Sequence, residues 1–260
     1  MTSVRLRDGV LDIVETGGGK PIVLLHSLLA DRAIFDKIVP ALGRQRRVIV
    51  PDLPGFGASS SAGATIEGIA DRIAGLFDAL SLGTTADVLG NGFGGFVAST
   101  LAIRHGAQFD RLVLADTGVT FSPEGKQSFY AMAERVRQSG MEAIVDVALK
   151  RLFPEDFIAV NPDIMAERRN ALVKTNPQFF AEACHALATL DLTADISRIR
   201  NPTLVVVGEH DAATPPEMAR MLARALPKAD LIEMPGCGHA PMAQAPEAFI
   251  STISKFLDLK

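Results

Sequence analysis

The chain has 260 residues, 22% of them charged, and a formal net charge of −4. This composition is typical of a soluble globular protein, and the length predicts one large domain or one domain with an insertion. The mildly acidic balance disfavours nucleic acid as a partner, and two cysteines are too few for a disulfide framework. Neither a secretory leader nor an apolar run of roughly 20 residues is visible, so we expect a cytoplasmic protein without a membrane partner.

The N-terminal segment predicts a β-hairpin. Alternating apolar residues at positions 4–6 and 11–14 flank Asp8 and Gly9, a dipeptide that favours a tight turn. We therefore expect two antiparallel strands at one edge of a sheet.

Beyond the hairpin, short apolar runs alternate with longer segments of helical period, such as residues 66–81 and 93–104. Several runs are rich in β-branched residues and nearly continuous, as expected of strands buried on both faces. The runs occupy residues 22–25, 48–50, 86–89, 112–115, 203–207 and 231–234. The alternation predicts an α/β fold, with a mostly parallel sheet between two layers of helices.

Residues 119–199 interrupt this alternation, because they contain helical patterns and no strand. The patterns cover residues 124–139, 141–152, 163–175 and 177–189, and are punctuated by Pro154, Pro162 and Pro177. Ligands of open α/β sheets bind at the carboxyl ends of strands, and the insertion leaves from such an end. We expect a helical cap at 119–199 over a core formed by residues 1–118 and 200–260. Helical packing without a role at the site is the alternative.

Five predicted strand ends carry residues suited to chemistry or to tight turns. In chain order they are His26-Ser27-Leu28, residues 52–59, Gly90-Asn91-Gly92-Phe93-Gly94-Gly95, Gly208-Glu209-His210-Asp211, and Gly236-Cys237-Gly238-His239. Together these motifs resemble the α/β-hydrolase family, and within it the enol-lactonase-like hydrolases of small carboxylic esters and lactones. The resemblance implies an eight-stranded, mostly parallel sheet with a cap inserted late. It also implies hydrolysis of a small ester or lactone, with no cofactor and no metal.

The third motif departs from the family pattern G-x-S-x-G, in which serine is the nucleophile. Here Gly92 stands at the serine's position, so the side-chain oxygen that would form an acyl-enzyme there is missing. The backbone of this turn is strained by about 1–3 kcal/mol for other residues, whereas glycine adopts it freely. The substitution favours the fold, removes the nucleophile, and leaves space for a water molecule.

The resemblance assigns roles to the remaining residues of the site. His239 would be the general base and Asp211 its orienting acid, and the backbone amides of Leu28 and Phe93 would form the oxyanion hole. A turn-capping role for Asp211 competes with this assignment, and Asp116 is the alternative acid.

We place His26, Ser27 and Asn91 among the substrate-binding residues, with His26 also a structural strand-end residue. Ser27 is a weak candidate for a replacement nucleophile, because its backbone should shape the oxyanion site and no second base is evident nearby.

Other reactive side chains have simpler explanations. Cys237 lies two residues before His239, and we interpret it as a small turn residue rather than a nucleophile. Cys184 and His185 are adjacent on a predicted helix and point about 100° apart, which makes them a poor catalytic pair. A cation of the insertion could meet a substrate carboxylate, without the sequence deciding which one. The candidates are Arg135, Arg137, Lys150, Arg151, Arg168, Arg169 and Lys174.

Three further hypotheses remain beside the hydrolase, which we favour because a base and its acid are retained. The protein could be a lyase- or isomerase-type enzyme, a non-catalytic binder of a small ligand, or an inactivated serine hydrolase. We expect a small-molecule ester, lactone or related acid as ligand, and a homo-oligomer stays open.

Overall fold

The computed structural model describes residues 2–260 and contains one eight-stranded sheet. The strands are β1 (Thr2–Leu6), β2 (Gly9–Gly17), β3 (Lys20–Leu25), β4 (Arg46–Pro51), β5 (Asp87–Asn91), β6 (Leu112–Ala115), β7 (Thr203–Gly208) and β8 (Ala229–Met234). Their spatial order is β1-β2-β4-β3-β5-β6-β7-β8. The pairs β1–β2 and β2–β4 are antiparallel, and the other pairs are parallel. The predicted fold class and the antiparallel edge hairpin are confirmed.

Helices cover both faces of the sheet, which explains why β5, β6 and β7 consist entirely of buried residues. The α-helices are α1 (Val39–Gly43), α2 (Ile66–Ala79), α3 (Phe93–His105), α4 (Pro123–Ser139), α5 (Val145–Leu152), α6 (Glu155–Val160), α7 (Pro162–Val173), α8 (Pro177–Thr189), α9 (Pro216–Ala225), α10 (Pro241–Gln244) and α11 (Pro246–Leu257). Helix α3 is buried nearly all round because it follows the central strand β5 and packs against α2 and the sheet. None of the helices within residues 2–260 is long and apolar enough to cross a lipid bilayer.

Helices α4 to α8 form a helical insertion between β6 and β7. An isolated bridge between Thr120 and Asp191 joins its two ends. The local sequence sets the helix starts: the side chain of Ser122 accepts a hydrogen bond from the amide of Gly125 at the start of α4. The side chain of Asn176 caps α8 in the same way.

The insertion differs from the predicted helices in two places. Residues 141–152 begin as a 3₁₀ turn, Met141–Ile144, and become α-helical only at Val145. Helix α6 is not visible as a separate periodic segment, because its six residues include no buried side chain. Only the adjacent Phe157 and Ile158 are partly buried against the core, and two neighbouring residues define no apolar period in the sequence.

The register of the central strands brings several turns to one edge of the sheet. Leu25 of β3 pairs with Gly90 of β5, so the turns that follow these strands are neighbours. The amide of Gly94 donates to the carbonyl oxygen of His26 at 2.9 Å and fastens the two turns together. The segments after β6, β7 and β8 lead to the same edge, where the candidate site lies.

Candidate active site

The turn between β5 and α3 has the backbone shape that its glycine permits. Gly92 has φ 53° and ψ −114°, and its amide donates to the carbonyl oxygen of Ala115 at 3.0 Å. A Cβ atom at this position would lie 2.5 Å from Nε2 of His239 and 2.6 Å from Oγ of Ser27. Both the positive φ and the crowding therefore favour glycine here.

His239, in the loop after β8, forms a buried pair with Asp211, in the loop after β7. Nδ1 of His239 lies 2.9 Å from Oδ2 of Asp211, and both side chains are almost completely buried. Because a carboxylate oxygen only accepts, the Nδ1–H of His239 donates, and Nε2 carries the free lone pair. Sequence reasoning placed these two residues as base and acid, and the structure brings them together.

Asp211 also caps its own turn, so the turn-capping role and the contact with His239 are both present in one side chain. Its Oδ1 accepts hydrogen bonds from the amides of Ala213 and Thr214 at 2.8 and 2.9 Å. The hydroxyl of Thr214 donates to Oδ2 at 2.7 Å. These contacts hold the carboxylate in one orientation against His239.

Asp116 lies behind this pair and does not hydrogen-bond the imidazole of His239. Its carboxyl accepts from the amide of Gly208 at 2.9 Å and from the side chain of Asn91 at 3.2 Å. Burial, followed by the charge of Asp211, raises the pKa of Asp116 well above its usual range. A raised pKa favours the protonated form of Asp116, so burial opposes a second negative charge beside Asp211.

Asp116, Asp211 and His239 also lie within 4.8 Å of one another, a spacing suited to a metal ion. However, each carboxylate oxygen already accepts a hydrogen bond, and Nδ1 of His239 faces Asp211. A ligating carboxyl must be ionised, which burial opposes for Asp116. The donor set fits a hydrogen-bonded network better than a metal site.

The side chain of Ser27 lies beside His239, a contact that the sequence did not predict. Its Oγ lies 3.1 Å from Nε2 of His239, and both residues are buried. No second base is needed near Ser27, because His239 itself is within hydrogen-bond distance. Two features of the sequence could have suggested this contact: the glycine at position 92, where the family has its serine, and the hydroxyl of Ser27 at another strand end.

The side chains of His26 and Asn91 do not reach the cavity, contrary to the substrate contact we expected. Nδ1–H of His26 donates to the carbonyl oxygen of Ser27 at 2.9 Å, and Nε2 accepts from the amide of Leu53 at 3.0 Å. Burial lowers the pKa of His26, so it is neutral and fixes the turn. Asn91 donates to the carbonyl oxygen of His239 at 2.9 Å and holds that loop.

Leu28 and Phe93 lie at the two turns, and both residues line the same cavity. Within residues 2–260, neither of their backbone amides donates to a hydrogen bond. Phe93 is also the first residue of α3, where the helix dipole attracts negative charge. The pair can therefore stabilise an oxyanion that forms between the turns.

The cavity above these groups has a volume of about 30 Å³. The helical insertion contributes Phe129, Met132 and Leu187 to its wall, next to Phe96 of the core. Of the seven cations considered in the insertion, Arg151 lines the cavity, and it has no ion pair among the described residues. The wall is mostly apolar, with one cation.

The two cysteines do not offer a nucleophile. Cys184 is buried in α8, and burial raises the pKa of its thiol to about 12. Burial also raises the pKa of Cys237, which does not line the cavity. Both thiols therefore stay protonated and weakly reactive.

Comparison with known proteins identifies the family to which this fold belongs. The sequence profile of the α/β-hydrolase family matches residues 22–252. The chain belongs to the α/β-hydrolase family. The enol-lactonase from Burkholderia xenovorans LB400 superimposes with a TM-score of 0.92 at 30% identity, over 99% of this chain and 100% of that chain.

Other members of the family are similar over most of their length. A thermophilic esterase from Thermogutta terrifontis has a TM-score of 0.91 at 32% identity, covering 99% of this chain and 97% of that chain. A pimeloyl-[acyl-carrier protein] methyl ester esterase from Nitrosomonas europaea is 29% identical over 93% of this chain and 97% of its own length. The predictions of an enol-lactonase-like α/β-hydrolase and of a hydrolase enzyme are confirmed at the level of the family.

Proposed function

We propose that the protein hydrolyses a small carboxylic ester or lactone, with His239 as the general base. The observation that carries the proposal is the position of the His239 ring, between the carboxylate of Asp211 and the cavity beside Gly92. Nε2 faces the cavity with its lone pair, so it can take a proton from an attacking group. Asp211 stabilises the imidazolium that then forms.

The amides of Leu28 and Phe93 act as the oxyanion hole. Because both donors belong to the backbone, the loss of a serine at Gly92 does not remove them. They stabilise the negative charge of the tetrahedral intermediate, a contribution worth about 3–4 kcal/mol per donor in comparable sites. Residues 119–199 act as a cap that closes the cavity and excludes water.

The lining of the cavity supports a substrate with an apolar body and an anionic end. Phe96, Phe129 and Leu187 offer apolar surface, and Arg151 offers a planar cation that suits a carboxylate. The enol-lactonase and esterase relatives act on bonds of the class proposed here. We therefore propose a small ester or lactone that carries a carboxylate.

The test is steady-state hydrolysis of paired aryl esters and lactones, with and without a terminal carboxylate. We expect turnover by the wild-type chain and a loss of at least about 100-fold in kcat/KM for His239→Gln. Arg151→Gln should raise KM about 10-fold for the carboxylate substrates and leave KM for the neutral ones unchanged. Lys150→Gln, on the same helix with its side chain 67% exposed, is the matched control.

Two results would contradict the proposal. Ligand binding without turnover, unchanged in His239→Gln, would identify a binder instead of an enzyme. Turnover that is equal for charged and neutral substrates would remove the role of Arg151 and leave the hydrolase.

A further inference from the structure

We propose that the hydroxyl of Ser27 is the nucleophile of this enzyme, an inference that rests on the hydrolytic function proposed above. Ser27 follows β3, whereas the family places its nucleophilic serine after β5. The proposal thus assigns an acyl-enzyme intermediate to a different turn of the same fold.

The first support is a continuous chain of hydrogen bonds. Oγ of Ser27 lies 3.1 Å from Nε2 of His239, whose Nδ1–H donates to Asp211 at 2.9 Å. Since Nδ1 carries the proton, the hydroxyl of Ser27 donates and Nε2 accepts. Hydroxyl, base and acid are therefore in the order and at the distances that activate a serine.

The second support is the space beside Gly92. A Cβ at that position would lie 2.6 Å from Oγ of Ser27, closer than any real contact of this kind. The hydroxyl of Ser27 thus stands beside the place that a side chain after β5 would occupy. The absence of a side chain at Gly92 is what lets Ser27 reach the base.

The third support is that the oxyanion donors suit either turn. A nucleophile after β5 uses the amide of the residue that follows it, Phe93, together with an amide of the neighbouring loop. A nucleophile at Ser27 uses the same two amides with their roles exchanged. Leu28 is then the residue that follows the nucleophile, and Phe93 provides the amide of the neighbouring loop. The hydrogen bond from Gly94 to the carbonyl oxygen of His26 holds the two turns in this relation.

The fourth support is the rigidity of the Ser27 backbone. Its carbonyl oxygen accepts hydrogen bonds from the ring of His26 at 2.9 Å and from the amide of Ala30 at 3.3 Å. The ring of His26 is itself held by the amide of Leu53. A fixed backbone keeps the hydroxyl aimed at the base and at the cavity, which Ser27 lines.

The reaction then proceeds in two balanced steps. Oγ of Ser27 bonds to the acyl carbon while its proton passes to Nε2 of His239, and the bond from the acyl carbon to the leaving oxygen breaks as that oxygen takes the proton. Water next bonds to the acyl carbon and gives a proton to His239. The bond to Oγ breaks, Ser27 recovers its proton, and the carboxylic acid leaves.

A fluorophosphonate tests the nucleophile without knowledge of the substrate. Oγ of an activated serine bonds to phosphorus and fluoride leaves, so the adduct marks the reactive residue. We expect one adduct per chain in the tryptic peptide 8–32, placed on Ser27 by fragmentation. The adduct should be absent in His239→Gln and in unfolded protein.

Ser27→Ala supplies the kinetic test, on the esters and lactones used above. We expect kcat/KM to fall at least about 100-fold, as expected when a nucleophile is removed. Ser99→Ala is the matched control, because it removes a hydroxyl that is equally buried, lies in α3 and has no hydrogen-bond partner. Thermal unfolding of both variants separates a catalytic loss from misfolding.

The outcomes separate the two proposals. Hydrolysis that persists in Ser27→Ala, without an adduct on Ser27, would overturn the nucleophile and leave direct attack by water assisted by His239. An adduct on Ser27 without hydrolysis of any tested ester or lactone would support the nucleophile and overturn the proposed substrate class. If neither adduct nor hydrolysis is found, both proposals fail.

Discussion

The turns after β3 and β5 are neighbours in space but carry different parts of the site. The turn at Gly92 has the backbone of a nucleophile elbow, with φ 53°, and no side chain. The turn at Ser27 has a hydroxyl 3.1 Å from the base and a backbone held by His26. Each turn is also followed by a residue that lines the cavity, Phe93 in one case and Leu28 in the other.

Under the nucleophile proposal, a residue acts as nucleophile because its side chain lies next to the base, whichever strand it follows. Two strand ends lie beside His239, and a Cβ at Gly92 would force the side chains of His239 and Ser27 to shift. The nucleophile proposal therefore links the glycine at one turn to the serine at the other. Substitutions at Gly92 should therefore change how Ser27 contributes to kcat/KM.

The largest effect is expected for Gly92→Ala, which places a methyl group between the two turns. That carbon would lie 2.5 Å from Nε2 of His239 and 2.6 Å from Oγ of Ser27, so the base and hydroxyl must separate. We expect kcat/KM to fall about 100-fold, as for a displacement of about 1 Å at a reacting group. The positive φ should also lower the free energy of unfolding by about 1–3 kcal/mol.

Gly83→Ala is the control for backbone strain, because Gly83 has φ 68° and open space at its Cβ position. It should lose stability in urea unfolding and keep its kcat/KM. Normal hydrolysis by Gly92→Ala would mean that the contact between Ser27 and His239 is not used.

A smaller effect is expected from moving the hydroxyl back to the turn after β5. The double variant Gly92→Ser with Ser27→Ala removes the collision with Oγ and offers a new hydroxyl to the same base and amides. We expect kcat/KM to rise at least about 10-fold above Ser27→Ala, equal to roughly 1.4 kcal/mol of transition-state stabilisation. The rise is limited because the ring of His239 must still move away from the new Cβ.

The fluorophosphonate adduct should move with the hydroxyl, from Ser27 to position 92. A double variant as inactive as Ser27→Ala, yet folded, would show that the two turns are not interchangeable. The single variant Gly92→Ser keeps both hydroxyls and should be less active than the double variant.

The smallest effect is expected for Asp116, which lies within 4.8 Å of Asp211, the acid that orients His239 for either turn. Burial raises its pKa in the folded chain, so the folded protein keeps a proton that the unfolded chain releases above pH of about 4. The free energy of unfolding therefore falls as pH rises through this range, by up to about 1.4 kcal/mol per pH unit. Asp116→Asn should flatten this slope above pH of about 4 in urea unfolding.

Asp258→Asn is the matched control, since Asp258 shares φ 53° with Asp116 but has a side chain that is 70% exposed. Its slope should follow the wild type. If Asp116→Asn and the wild type have the same slope, Asp116 is ionised in the folded protein.

Most of the strands could be predicted from the sequence, because buried parallel strands are continuous apolar runs. Residues 203–207 and 112–115, for example, lie in strands in which every residue is buried. The long amphipathic helices were equally visible. Helix α6 was not, because none of its six residues is fully buried, and neither was the 3₁₀ start of the segment that begins at Met141.

The candidate site was predictable where motif order carries the information. His239 and Asp211 follow the last two strands, and their pairing at 2.9 Å agrees with that order. Ser27 was judged by its neighbours in the chain, although its partner is 212 residues away. Arg151 could not be selected among seven cations, because helical periodicity does not tell which exposed face meets a cavity.

The sequence by itself determined the α/β fold, the edge hairpin, the helical insertion and the missing side chain at Gly92, since these depend on local composition and periodicity. Only the tertiary structure decided which groups meet: the hydroxyl of Ser27 at His239, the buried Asp116 near Asp211, and Arg151 at the cavity. The reason is physical. Contacts between distant residues depend on the register of β3 against β5 and on how strand ends converge, which no single segment encodes.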